Sequence, residues 1–144
     1  AGLSAEDAKE PMNLTKIADD MKYLNGIGFI KLGKMEKAVE ELNEYLEIYH
    51  DGIHRNEALM QLGDMYFKNY QFQKALSLYR RLYEEFSDSD DGVSAYYKVG
   101  ICYSKMGYDK QAMDVFRQII KEHTASSYSA QALLQLDLLE IINE

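Results

Sequence analysis

The chain has 144 residues, 47% of them apolar and 28% charged, with a net charge of −8. That size allows one ordinary domain with a real core, while the acidic balance argues against nucleic acid or an anionic membrane surface as the main partner. No apolar run is long enough to span a bilayer, so no direct membrane insertion is expected, and a single cysteine, Cys102, excludes an internal disulfide.

Residues 1–12 open the chain without an apolar signal core and are expected to form a flexible N-terminal segment. The chain does not start with Met, so a removed targeting segment stays open. Pro11 is the only proline, and the remainder, with almost no helix breaker, is expected to be all-helical. The next stretch, Asn25 to Met35 (NGIGFIKLGKM), nearly matches a phosphate-binding loop. Gly28, Gly33 and Lys34 give G-x-x-x-x-G-K, but Met35 stands where Ser or Thr belongs. Such a loop follows a buried strand, whereas the preceding LTKIADDMKYL is helical in pattern. The glycines therefore need another explanation.

A repeat supplies it. Gly26, Gly63 and Gly100 stand 37 residues apart, and the same spacing relates Phe29, Tyr66 and Tyr103, then Ala38, Ala75 and Ala112. Leu42, Tyr79 and Phe116 continue the series, as do Tyr45, Leu82 and Ile119. Each unit holds two amphipathic runs; in the third these are Val93 to Lys105 and Lys110 to Glu122. Gly33, Asn69-Tyr70 and Gly107 mark the turns between them, since Gly and Asn tolerate the left-handed conformation that ends a helix. A helix-interior glycine costs about 0.8–1 kcal/mol against alanine, so its recurrence predicts close approach of the paired helix, with Ala38, Ala75 and Ala112 facing it.

Catalytic or metal chemistry finds little support. His50 and His54 flank the turn residues Asp51-Gly52 and read as solvated loop side chains, and His123 is isolated at a helix end. The run Asp88 to Gly92 lacks the spacing of a calcium loop and is expected to cap a helix instead. Cys102 is expected to be a small buried residue. No enzyme activity, cofactor or metal is expected.

The columns resemble the tetratricopeptide repeat, W-x2-L-G-x2-Y…A-x3-F…P. The third unit fits best, with Val99-Gly100, Tyr103, Ala112 and Phe116. The second follows with Leu62-Gly63, Tyr66, Ala75 and Tyr79, and the first with Asn25-Gly26, Phe29, Ala38 and Leu42. Two columns depart. Lys22, Leu59 and Tyr96 stand at the tryptophan, and His50, Ser87 and Thr124 at the proline. The resemblance implies an all-α, right-handed α-α superhelix of about three helix pairs over residues 13–144. Repeats are expected at 19–55, 56–92 and 93–125, with a capping helix at 126–144. The period exceeds the usual 34 residues, and the extra length is assigned to the connections HDGIHRNEA and SDSDDGVSA.

Stacked pairs of this kind make a concave surface lined by the first helix of each unit. The family register implies inward positions at Tyr23, Ile27 and Ile30, at Met60, Asp64 and Phe67, at Tyr97, Ile101 and Ser104, and at Leu134 and Leu138 of the capping helix. Apart from Asp64 and Ser104 these are apolar or aromatic, which suits a peptide or partner helix. Packing between neighbouring first helices, or burial by a second copy in a homo-oligomer, would use the same residues. A Lys/Asn/Arg clamp for a terminal carboxylate, as in chaperone-tail-binding repeats, is lacking at these positions. The hydrophobic grooves of type III secretion chaperones are closer in character. The long links look like those of bacterial envelope proteins, namely the periplasmic coordinator of the Tol–Pal system and the lipoprotein of the outer-membrane barrel-assembly machinery. That likeness implies a periplasmic or envelope adaptor; a cytoplasmic adaptor or secretion chaperone and a self-assembling module are the alternatives.

Overall fold

The computed structural model describes residues 13–144, so the expected N-terminal segment lies outside the described residues. Among them are seven helices: α1 (Leu14–Lys31), α2 (Met35–Ile48), α3 (Arg55–Lys68), α4 (Phe72–Glu85), α5 (Asp90–Lys105), α6 (Asp109–Glu122) and α7 (Ser127–Ile142). They fall into two compact units, the first ending at His54 and the second running from Arg55 to Glu144. In the first unit α1 pairs with α2; in the second each helix from α3 to α7 packs on the next, and α5 also touches α3 and α7. The architecture is all-α, as expected.

Close approach at the repeated glycines holds, but the facing residue is not the alanine. A Cβ built on Gly26 would lie 2.5 Å from Leu42 Cδ2; on Gly63, 2.5 Å from Tyr79 Cε1; and on Gly100, 2.5 Å from Phe116 Cε1. The large residue one turn beyond each alanine thus enters the space that the glycine vacates. Ala38, Ala75 and Ala112 are themselves wholly buried. The aromatic column stays part-exposed under cations, with Lys37 Nζ 5.9 Å above the Phe29 ring and Lys74 Nζ 5.5 Å above that of Tyr66.

The three intra-pair turns share one geometry. Lys34, Gln71 and Tyr108 each donate a backbone N–H at 2.9 Å to the carbonyls of Phe29, Tyr66 and Tyr103, the six-residue bond that closes a Schellman motif. It requires a left-handed residue just before the donor: Gly33 (φ 74°), Tyr70 (φ 61°) and Gly107 (φ 81°). In the second repeat that residue is Tyr70 and not Asn69. The connections are also shorter than the sequence suggests. Asp90 to Ala95, assigned above to a link, opens α5 because the Ser89 hydroxyl accepts the Gly92 N–H at 3.0 Å and two carboxylates favour the first turn. Part of the longer period is therefore helix.

Two substitutions in α1 separate packing from propensity. Gly26→Ala drives a methyl into the wholly buried Leu42 and should lower stability by about 1–3 kcal/mol. Gly28→Ala meets no atom within 4 Å and should raise it by up to about 1 kcal/mol; urea denaturation of both checks this, and equal shifts would contradict the packing account. At Tyr70, the Gly variant should exceed the Ala variant in stability by about 1–2 kcal/mol, because only the latter keeps a Cβ in the left-handed region. Thermal melts of the pair measure that difference directly.

Candidate functional site: the first-helix faces

In the first unit the face of α1 is partly consumed by an internal clasp. Tyr23 is only 8% exposed. Its ring stacks on His54, with centroids 4.4 Å apart and planes at 8°, and meets Tyr45 edge-on at 5.9 Å. Tyr23 is therefore corrected from a groove residue to a core residue. Its neighbours explain why. Asp19, buried on α1, accepts the Tyr45 hydroxyl from α2 and the Ile53 N–H at 3.1 Å. The Tyr45 oxygen in turn accepts the His54 N–H at 2.9 Å, and His54 Nε2 lies 2.8 Å from Asp20 Oδ1. Burial first, then the bond to Asp19, push the Tyr45 phenol well above its usual range, so it stays a donor.

His54 is thus no solvated loop residue, unlike His50, which is exposed. Asp19, Asp20 and His54 bring possible ligand atoms within 4.8 Å of one another. Both Asp19 oxygens and the His54 ring nitrogen are already bonded, and the set ties the loop after α2 to α1. Ile27 and Ile30 remain part-exposed on α1.

In the second unit α3, α5 and α7 carry the remaining expected residues. Met60, Asp64, Phe67, Tyr97, Ile101 and Ser104 are all part-exposed, whereas Leu134 is 70% and Leu138 52% exposed. Asp64 is held as a strut: its Oδ1 accepts the Tyr79 hydroxyl of α4 at 2.6 Å and Lys98 Nζ of α5 at 2.9 Å. The same ammonium lies 5.5 Å over the Tyr79 ring and 3.5 Å from Met60 Sδ. Burial and the bond to Asp64 hold the Tyr79 phenol far above its usual range. The Tyr97 ring leans on Phe116 at 5.6 Å and Tyr128 at 5.4 Å, and Phe67 meets Phe72 edge-on at 5.1 Å. These two aromatics offer one side to solvent and use the other in packing.

Lys98, Tyr79 and Tyr128 were not read from sequence as parts of this face, nor was Ile141. Ile141 stands 37 residues after Ser104 and is 66% exposed, so the period alone could have found it. On α7, Asp137 occupies the glycine column and Glu140 the aromatic column. The side that earlier first helices turn toward their partners is therefore charged here. Elsewhere in this unit, the α3–α4 turn and the end of α5 form a shallow hollow of about 330 Å³, widely open to solvent and lined by residues including Tyr70, Phe72, Lys74 and Met106.

The tetratricopeptide repeat family model matches residues 57–89 and 94–126. No curated protein matches the chain in sequence. Among solved structures, the N-terminal domain of stress-induced protein-1 (STI-1) from C. elegans superposes with a TM-score of 0.75 at 16% identity, covering 90% of this chain and 99% of that one. MamA AMB-1 superposes with a TM-score of 0.61 at 19% identity, covering 84% of this chain and 67% of that one. At these identities the likeness is one of fold.

Cys102 tests the depth of the core behind this face. It is wholly buried, and burial pushes its thiol up to about 12. Native protein at pH 8 should resist alkylation by iodoacetamide, with stoichiometric labelling only in denaturant. Rapid labelling of the folded chain would show that α5 opens readily.

Proposed function

We propose that the protein is a non-catalytic interaction scaffold whose α3–α5–α7 face receives a peptide or a partner helix, and that it works in a bacterial cell envelope. The observation that supports the reading best is the exposure of Leu134 and Leu138 in register with part-exposed Tyr97 and Ile101, on a fold whose repeats commonly mediate protein–protein contact. Apolar side chains in one line along adjacent helices gain free energy when covered, at roughly 25 cal/mol per Å² removed from water. The strut at Asp64 favours apolar over charged recognition, because its carboxylate is already matched by Lys98 and Tyr79. Envelope placement draws on the 37-residue period alone, since the links themselves are shorter than the sequence suggests; fractionation that recovers the protein with cytosolic markers would overturn it.

The binding reading is tested by placing a photo-crosslinking amino acid at Leu134 or Phe67, with Lys121 on α6 as an exposed control. Irradiation in the source cell should give a discrete adduct from the first two sites and none from the control. Equal labelling at all three, or none at any, would overturn the assignment of this face.

A further inference from the structure

Two helices of this chain present uncovered apolar seams, and their chemistry is complementary. On α1, Leu14, Ile17, Met21 and Leu24 are between 41% and 70% exposed. Their alternating spacing of three and four is the seam of a helix that packs along a second helix. The position is telling. Met21 shares a column with Ala58, Ala95 and Ala132, all wholly buried in the later first helices. In α1 the same side lies open, and it ends in a notch at Gly28, where an added Cβ would meet nothing within 4 Å. On α7, Leu134, Leu138 and Ile141 form the second seam, with spacing of four and three.

The charges around the seams differ in sign. α7 contains no basic residue; Asp137 and, just beyond its end, Glu144 flank its seam, while Glu140 is engaged by Arg117 of α6. Its last turn carries no cation, and its end carbonyls are met only by neutral amide donors, Asn143 Nδ2 lying 2.8 Å from the Leu139 oxygen. α1 brings exposed Lys16 and Lys31, followed by Lys34, while Asp20 beside its seam is engaged by His54. We propose that copies of this chain associate head to tail, the α1 seam of one seating on the α7 seam of the next. This rests on the reading that the first-helix face of the second unit takes a helix, and it names the occupant of the α7 end. A symmetric α7–α7 pair would instead set carboxylates against carboxylates. Contact between two different surfaces is heterologous and extends into open chains unless the rotation closes a ring. One helix against one helix falls at the small end of specific interfaces, so the association is weak, reversible and salt-sensitive.

The test uses two charge-blocking variants at exposed positions, Met21→Glu and Leu138→Glu, each checked for native helicity and melting. Should either fail to fold, Leu14→Glu and Leu134→Glu block the same seams. Sedimentation should show the unmodified chain growing beyond dimer with concentration, and each variant alone remaining monomeric, with association weakened at least tenfold. An equimolar mixture should recover a 1:1 dimer and stop there, because it leaves one intact α1 seam and one intact α7 seam. A monomeric unmodified chain at all concentrations, a mixture without dimer, or a dimer surviving in either variant alone would overturn the proposal. If the chain is monomeric yet Leu134 and Phe67 still crosslink to another protein, the binding face stands and only the second copy fails as its occupant. Absence of any adduct would sink the face itself.

Discussion

A helix pair closes most tightly where one helix gives up volume at the crossing. Here that volume is surrendered at Gly26, Gly63 and Gly100 and filled by Leu42, Tyr79 and Phe116. Each of these large residues is at most 1% exposed, so the crossing sits at the centre of the core. The cost of glycine inside a helix is offset by burial of a side chain that would otherwise have nowhere to go. Once the crossing is fixed, the turn must return the chain within a few residues, which the left-handed residue and its six-residue hydrogen bond accomplish. Ile27 and Ile101, one residue after their glycines, stay part-exposed, whereas Asp64 at the same place reaches back to Tyr79 of the paired helix.

Periodicity made that framework readable. Five columns at a spacing of 37 located the crossings, the turns and the order of helices, because each column answers to one geometric demand that recurs. The partner of the glycine was misassigned to alanine because two buried columns, four residues apart on the second helix, lie on the same face. Nothing in spacing alone says which of them reaches the crossing. Tyr70 shows another limit: the turn demanded a left-handed residue, and composition pointed to Asn69, but the hydrogen-bond register placed the demand one residue later.

The polar contacts were less legible, for a physical reason. Asp19 with Tyr45, and Asp64 with Tyr79 and Lys98, each join a first-helix carboxylate to a second-helix phenol. The two sets occupy different columns, so the repeat carries no signature of either. Each is a local solution to a buried hydroxyl that must find an acceptor. Tyr23 was drawn into the core by the first of these sets, since the loop that delivers Ile53 and His54 to the clasp also lays the imidazole flat on its ring. A position that faces outward in the repeat pattern can therefore be covered by a loop that the pattern does not describe.

At α7 the columns part company in an informative way. The glycine and aromatic columns become Asp137 and Glu140, and Glu140 reaches Arg117 of α6 at 3.4 Å. The outward column stays apolar through Leu134, Leu138 and Ile141. A helix serving only to shield α6 would need apolar residues on one side, and Ala132, Leu136 and Leu139 already supply it. Charge on the second side keeps that side in water, while apolar residues on the third gain nothing from solvent. Three sides with three chemistries set α7 apart from a helix that only covers α6.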